Sequence, residues 1–111
     1  MNKNAEIIAK KLITSAFKFH LQGNILEAEK YYQIFLDKGF TDARANSNLG
    51  QILRIKGNLK EAELLTRQAV KLAPNFADAY CNLGVILIDL GKLKEAEIFI
   101  RKAIQLNPNF A

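Results

Sequence analysis

The chain has 111 residues, 50% of them hydrophobic and 24% charged, which is the composition of a folded globular protein rather than of a disordered one. Its formal net charge of +5 favours acidic partners only weakly, because the lysines and arginines are spread along the chain and many neighbour acidic residues. No basic stretch interleaved with aromatic residues occurs, so nucleic-acid binding is not expected. The single cysteine, Cys81, excludes an internal disulfide and a cysteine-based zinc site.

The N-terminal stretch lacks the features of a secretory signal, because it contains neither an uninterrupted apolar core nor a small-residue cleavage site. The longest apolar run, residues 83–88, is far too short to span a bilayer, so no membrane association is expected. We therefore expect a cytoplasmic protein. Residues 1–8 are predicted to extend the first helix, with Asn4 as a candidate N-cap.

A 34-residue period organises the chain. Residues 43–76 and 77–110 agree at more than half of their positions without a gap, and both contain Asn-Leu-Gly, Gly-x-Leu-Lys-Glu-Ala-Glu and Pro-Asn-Phe at the same offsets. Residues 9–42 follow the same period more loosely, with Gly23, Glu27, Ala28 and Glu29 in register. Self-similarity at this period is typical of a stack of supersecondary units rather than of one globular core.

Each repeat is predicted to contain two helices. Gly23, Gly57 and Gly91 end the first helix of each repeat, since glycine suits the left-handed residue just past a helix end. Pro74 and Pro108 mark the end of the second helix in the later repeats. The predicted helices cover residues 5–22, 25–38, 43–56, 59–72, 77–90 and 93–106.

The second helices of the first two repeats carry a start signal. Asn24 and Asn58 are each followed three residues later by a glutamate, Glu27 or Glu61, which predicts a capping-box-like start. Lys92 replaces the asparagine in the last repeat, and we expect this to weaken the cap by up to about 1 kcal/mol.

Apolar spacing explains why the repeats must stack. In the last repeat, Leu83, Gly84 and Leu87 share one face of the first helix, and Ala96 lies on the facing side of the second. The small Gly84 opposite Ala96 is expected to let the two backbones approach closely. Other apolar side chains, such as Ile104, cannot be covered within one helix pair and need a neighbouring repeat.

These residues resemble the tetratricopeptide repeat, over residues 9–110. The last repeat carries its pattern of large, small and proline residues at Tyr80, Leu83, Gly84, Leu87, Ala96, Ala103 and Pro108. The middle repeat departs from the pattern at Asn46 and Thr66, and the first repeat departs at Ser15, Phe35 and Phe40. The resemblance implies an all-α fold, a right-handed superhelical solenoid of six to seven helices. Its units are the N-terminal extension 1–8, a divergent repeat 9–42, and the repeats 43–76 and 77–110.

The resemblance also implies a function. Such folds are protein–protein interaction modules or scaffolds, without catalysis of their own, that bind an extended peptide or a partner helix in a concave groove. The groove residues that it implies are Lys10, Phe17, Arg44, Asn48, Gln51, Arg54, Asp78, Asn82, Val85 and Asp89. The alternative is the N-terminal arm of a larger transferase, which would recruit substrate or oligomerise.

Asn48 and Asn82 occupy the same position in successive repeats. An asparagine amide offers both a donor and an acceptor, so it can bind a peptide backbone without contacting the peptide side chain. The pair resembles the asparagine ladder of the protein O-linked N-acetylglucosamine transferases. The competing interpretation is that each asparagine bonds to a neighbouring helix.

Catalytic and metal chemistry is not expected. His20 is the only histidine and is predicted to be a solvated groove residue, and Cys81 is predicted to be a small packing residue. Asp78 and Asp89 are separated by about 16 Å along one helix, which is too far for paired-carboxylate catalysis. We therefore expect no catalytic residue, no cofactor and no metal.

Chaperone-binding relatives hold a C-terminal carboxylate with lysine, arginine and asparagine side chains. The corresponding positions here are Ile13, Phe17, Asn48, Asp78 and Asn82, of which Asn48 alone matches. Asp78 places a negative charge where those relatives carry a cation, so binding of acidic chaperone tails is not expected.

The C-terminal edge of the last repeat is expected to expose apolar side chains. Repeat stacks need a covered or polar end, because each unit buries its neighbour's apolar side. Ile100, Ile104 and Phe110 would lie partly in water there. This predicts that the edge is covered, either by a second copy of the chain or by the remainder of a longer protein.

Overall fold

The computed structural model describes residues 2–110, except for the side chain of residue 110, and this part of the chain is all α-helical apart from short turns. Every predicted helix end lies within two residues of the observed one. A short 3-10 helix, Pro108–Phe110, follows the last α-helix. The helices are α1 (Lys3–Leu21), α2 (Ile25–Asp37), α3 (Ala43–Ile55), α4 (Leu59–Leu72), α5 (Ala77–Asp89) and α6 (Leu93–Leu106).

The chain divides into two compact units on either side of the bond between Thr41 and Asp42. The first unit is the α1–α2 hairpin. The second unit contains the α3–α4 and α5–α6 hairpins, and α5 packs against both α4 and α3. The amphipathic periodicity of the sequence thus produces paired helices, and in the second unit one hairpin covers the apolar side of the other.

Aromatic side chains fill the first unit. Tyr32 is fully buried and packs edge-on against Phe17, with the ring centroids 5.9 Å apart. The prediction that His20 is a solvated residue is wrong: it is half-buried, and its Nδ1 is hydrogen-bonded to the Tyr32 hydroxyl at 2.8 Å. Phe35 and Phe40, which depart from the repeat pattern, pack on each other with centroids 5.4 Å apart. The first repeat therefore replaces small residues and proline with an aromatic core.

Glycines permit the closest helix contacts in the second unit. A Cβ added to Gly84 would lie 3.4 Å from the Ala96 carbonyl oxygen, which confirms the predicted close approach of α5 and α6. Gly50 has the same relation to Ala62 on α4, at 3.3 Å. Thr66, a departure from the repeat pattern, fills the space beside Gly50, and its hydroxyl donates to the Ala62 carbonyl at 2.7 Å.

The helix ends agree with prediction at the glycines but only partly at the N-caps. Gly23, Gly57 and Gly91 have φ values of 77°, 90° and 79°, the left-handed conformation that glycine adopts without strain. The prediction for α1 is wrong, because Asn2 rather than Asn4 caps the helix and accepts a hydrogen bond at 2.8 Å.

The predicted cap at Asn58 is also wrong. Asn58 makes no side-chain cap hydrogen bond, and the equivalent bond at Asn24 is long, at 3.4 Å. Both residues have ψ values near 70°, whereas the capping residue Asn2 is extended with ψ of 169°. The amide oxygen is poorly placed for the first-turn N–H groups when the backbone leaves the extended region. Asn24 and Asn58 therefore do not form strong caps, so the replacement of asparagine by Lys92 in the last repeat removes no strong cap.

An ionic network joins the two hairpins of the second unit. Arg67 on α4 bonds to Glu63 at 2.9 Å and to Glu95 at 2.6 Å, and its guanidinium lies 5.5 Å from the Phe99 ring centroid. Lys92 reaches Glu63 at 3.3 Å. Although burial acts to raise the pKa of the Glu63 carboxyl, the hydrogen bonds from Arg67 and Lys92 outweigh it, and the pKa lies below its ordinary value. The lysine that departs from the cap pattern thus links the hairpins.

The contacts at Gly50 and Gly84 predict different losses of stability when each glycine is replaced by alanine. Gly50→Ala should lower the free energy of unfolding by about 1–3 kcal/mol, since the added methyl overlaps Thr66, whose hydroxyl is hydrogen-bonded and cannot move away freely. Gly84→Ala should cost less than about 1 kcal/mol, because half-buried Ile100 can change rotamer and alanine favours a helix. Urea unfolding followed by circular dichroism measures both, and an equal or reversed cost would contradict the assignment.

Candidate functional site

Eight of the ten predicted groove residues lie on two neighbouring helices of the second unit. We call this set the α3/α5 face. It comprises Arg44, Asn48, Gln51 and Arg54 on α3 and Asp78, Asn82, Val85 and Asp89 on α5. Lys10 and Phe17 lie on α1 in the first unit, where Lys10 is exposed and Phe17 is half-buried against Tyr32.

The α3/α5 face is accessible. Arg44, Asp78 and Asp89 are exposed, and the other members are half-buried rather than part of the core. The residues between them on α3 and α5, such as Leu49 and Leu83, are fully buried. The same helices therefore present one side to the core and leave a mainly polar side open.

Side chains of the α3/α5 face are linked across the two helices. Arg54 forms an ion pair with Asp89, with 3.1 Å between the guanidinium nitrogen and the carboxylate oxygen. Arg54 also donates from Nε to the Gln51 amide oxygen at 3.4 Å. At the middle of the face, the Asn82 amide donates to the Ser47 hydroxyl at 2.8 Å. These bonds orient the polar groups before any ligand arrives.

The bond from Asn82 changes the expectation for the asparagine pair. One hydrogen of the Asn82 amide bonds to the hydroxyl of Ser47, which is 1% exposed. Asn82 therefore makes a hydrogen bond to a neighbouring helix, as the competing interpretation expected. An amide carries two N–H donors and a carbonyl oxygen, so Asn82 keeps one donor and its acceptor for a ligand. Asn48 is next to Ser47 in sequence and is half-buried. The binding role of both asparagines stays a prediction.

The charges of the α3/α5 face are mixed. The Arg54–Asp89 pair compensates itself, while Arg44 and Asp78 lie in the first turns of α3 and α5. Burial and then the nearby Asp78 carboxylate raise the pKa of the Cys81 thiol, which disfavours the thiolate. Since the thiolate is the nucleophilic form, Cys81 has the environment of a packing residue.

Two arrangements in the second unit were not predicted from the sequence. The Glu63–Arg67–Glu95–Lys92 network was not anticipated, although Glu63 and Arg67 recur 34 residues later as Glu97 and Arg101. That recurrence is the signal that could have identified it.

The second arrangement that was not predicted is the hydrogen bonding of Asn46. It is 3% exposed and donates to the Leu65 carbonyl at 3.3 Å and to Gln68 at 3.0 Å. Its own amide oxygen is buried without a hydrogen-bond partner among the described residues. Asparagine is therefore used here as a donor that ties α3 to α4.

Within residues 2–110 the structure contains no helix long and apolar enough to cross a membrane. The same part of the chain contains no group of three or more histidine, cysteine, aspartate or glutamate side chains placed to hold a metal ion.

Comparison with known families gives two matches in the second unit. A model described as "Tetratricopeptide repeat" matches residues 77–110, and a model described as "TPR repeat" matches residues 50–91. Comparison with curated proteins gives no match.

Solved structures resemble the chain over nearly its full length. An O-GlcNAc transferase mutant from Thermobaculum terrenum is 26% identical over 99% of this chain and 21% of its own, with a TM-score of 0.86. The first TPR domain of Spaghetti (RPAP3), solved with an HSP90 peptide, is 26% identical over 91% of this chain and 80% of its own, with a TM-score of 0.80.

MamA is 24% identical over 92% of this chain and 60% of its own, with a TM-score of 0.82, and shows the fold alone. The chain thus spans about a fifth of the transferase and three fifths of MamA. The predicted all-α repeat fold is confirmed.

The Asn82–Ser47 bond predicts that Asn82 contributes to stability. Asn82→Ala should lower the free energy of unfolding by about 1 kcal/mol, because the buried Ser47 hydroxyl loses its donor. A double-mutant cycle with Ser47→Ala, measured by urea unfolding, should give a coupling of about 0.5–1.5 kcal/mol. Strict additivity of the two substitutions would show that the bond contributes nothing, and Asn82 would then be available for ligand alone.

Proposed function

Since the chain belongs to the tetratricopeptide repeat family, we propose that it is a protein–protein interaction module whose α3/α5 face binds an extended peptide or a partner helix. A related domain solved with an HSP90 peptide supports a peptide ligand for this fold. The proposal extends by prediction to Lys10 and Phe17 on α1. The repeat boundaries 9–42, 43–76 and 77–110, with the extension 1–8, are part of the same proposal.

The observation that carries the proposal is the preorganised polar surface between α3 and α5. Ion pairing and hydrogen bonding already hold Arg54, Asp89 and Asn82 across the two helices. A ligand that meets side chains in fixed positions loses less free energy to ordering them than a ligand that meets mobile ones. The face therefore suits recognition that depends on directed hydrogen bonds.

An extended peptide matches the chemistry of this surface. Its backbone N–H and C=O groups are unpaired and can bond to side-chain amides, here those of Asn48, Gln51 and Asn82. Val85 adds an apolar contact within the same face. The charge of the face varies along it, with exposed Arg44 in the first turn of α3 and exposed Asp78 in the first turn of α5.

Tetratricopeptide domains generally act as non-catalytic interaction modules, and we propose no catalytic role for this one. The raised pKa of the Cys81 thiol supports this proposal, because it leaves the cysteine protonated. We also propose a cytoplasmic location and a role as a scaffold.

The alternative function is an arm of a larger transferase that recruits substrate or oligomerises. Its support is the resemblance to the Thermobaculum terrenum O-GlcNAc transferase, of whose chain this sequence spans about a fifth. The two proposals share the interaction face and differ in what the bound partner is delivered to.

Selection from a phage-displayed library of unstructured peptides tests the proposed face. Asn48→Ala should weaken binding of the selected peptides about fivefold, the loss of about one hydrogen bond of 1 kcal/mol. Asn58→Ala is the matched control, because Asn58 is exposed and makes no side-chain cap bond. Fluorescence polarisation gives the affinities. Equal binding by wild type and Asn48→Ala, or equal weakening by Asn58→Ala, would place the binding surface elsewhere.

The HSP90 peptide of the RPAP3 complex should not bind this chain with micromolar affinity. Exposed Asp78, in the first turn of α5, would repel its acidic residues at a position where a cation is needed. Asp78→Lys should increase the affinity, since it removes the repulsion and supplies a cation. Isothermal titration calorimetry measures both. Micromolar binding by the wild type, or no gain in Asp78→Lys, would refute the electrostatic argument.

A further inference from the structure

The α5–α6 hairpin has an open apolar groove. Leu93 is 64% exposed and Ile104 is 42% exposed, so the groove contains large hydrophobic side chains in contact with water. Its lining residues are Ile88, Leu93, Ala96, Glu97, Ile100, Arg101 and Ile104. Of the side chains predicted to mediate self-association, Ile100 is half-buried and Ile104 exposed, while that of Phe110 lies outside the described part.

The α3–α4 hairpin shows what such a surface normally contacts. Thr66 and Val70 on α4 lie 34 residues before Ile100 and Ile104. Thr66 is fully buried beside Gly50 of its own hairpin, whereas Val70 packs against the cluster that contains Leu83 of α5. The equivalent surface of α4 is therefore covered by a helix, and the groove on α6 has the chemistry to receive one.

Charged residues also differ between the covered surface of α4 and the open groove on α6. On α4, Glu63 and Arg67 form ion pairs with Lys92 and Glu95 of the following hairpin. On α6 the equivalent residues, Glu97 and Arg101, pair with each other at 3.1 Å and are 63% and 76% exposed at their side chains. No other ion pair of these two side chains is present among the described residues.

Head-to-tail stacking of a second copy is unfavourable at this groove. Ala79 and Ile86 are the fully buried residues of α5 at the positions that correspond to Lys11 and Lys18 on α1. If α1 took the place of a following helix, both lysines would be buried against apolar side chains. Burying unpaired ammonium groups costs several kcal/mol each, so α1 does not fit.

The α6 helix is, in contrast, complementary to itself in the antiparallel direction. When Glu97 of one copy faces Arg101 of the other, the symmetry centre falls at residue 99. The same centre places Leu93 of one copy close to Ile104 of the other, since residues 93 and 104 lie almost equally far from residue 99. One register therefore satisfies the two charges and covers Leu93 and Ile104, two exposed apolar side chains of the groove.

We propose that this groove is the docking site for a second copy of the chain, with the two α6 helices packed antiparallel about a two-fold axis. Glu97 and Arg101 determine the register, and Leu93, Ile100 and Ile104 provide the apolar contact. A two-fold contact of this kind closes as a dimer and does not propagate into a filament. The proposal is independent of peptide binding at the α3/α5 face.

Sedimentation equilibrium of the full chain, up to about 1 mM, tests the interface. The wild type should change from monomer to dimer mass as its concentration rises. Glu97→Arg and Arg101→Glu should each raise the dimer dissociation constant at least about tenfold, because like charges then face each other twice. An equimolar mixture of the two variants should dimerise again, since every facing pair is then of opposite sign.

Hydrophobic variants supply the control. Ile104→Glu should abolish the dimer, whereas Ile98→Glu should not, because Ile98 is 65% exposed on α6 and lies outside the groove. Unchanged circular dichroism shows that each variant is folded. A wild type that stays monomeric to 1 mM, a dimer that tolerates Ile104→Glu, or a mixture of charge variants that stays monomeric would overturn the proposal.

Discussion

The close contact between the two helices of each hairpin is the constraint on which the second unit depends. Gly50 lies against the Ala62 carbonyl and the Thr66 side chain, and Gly84 lies against the Ala96 carbonyl and the Ile100 side chain, so that an added methyl would overlap the Thr66 or Ile100 side chain unless that side chain moved. Because the backbones meet there, the larger residues on either side, such as Leu83, are fully buried. Small residues at the contact thus allow burial of the large ones, and the apolar area so removed from water is the main stabilising contribution.

Contact between successive hairpins adds a second, nearest-neighbour contribution. Helix α5 covers the apolar side of α4, and the network around Arg67 joins the hairpins at their ends. Stability in repeat proteins is approximately the sum of such unit and interface terms. A consequence is that a unit with one uncovered side carries an exposed apolar surface and exposed charges, as the α5–α6 hairpin does at Leu93 and at the Glu97–Arg101 pair.

The packing also explains why the polar face is available. Residues of α3 and α5 that point to the core cannot take part in recognition, and the opposite side of the same helices is not needed for packing. Polar side chains can occupy that side at little cost in stability, and cross-helix bonds such as Arg54–Asp89 and Asn82–Ser47 then hold them in place. The core residues and the proposed binding residues therefore lie on different faces of the same helices rather than in different segments of the chain.

The sequence by itself determined the helices, their ends at glycine and the close approach at Gly84, because these depend on local conformation and on a repeated spacing. The residues of the α3/α5 face were implied by the resemblance to tetratricopeptide repeats, and their role in binding stays a prediction. Tertiary structure alone decided the partners of the polar side chains. These are the bond of Asn82 to Ser47, the bond of His20 to Tyr32, the absence of a cap bond at Asn58 and the ion pair of Lys92 with Glu63. Each of these depends on side-chain atoms brought within about 3 Å from different helices, or on a backbone angle, and residue spacing contains neither distance nor angle.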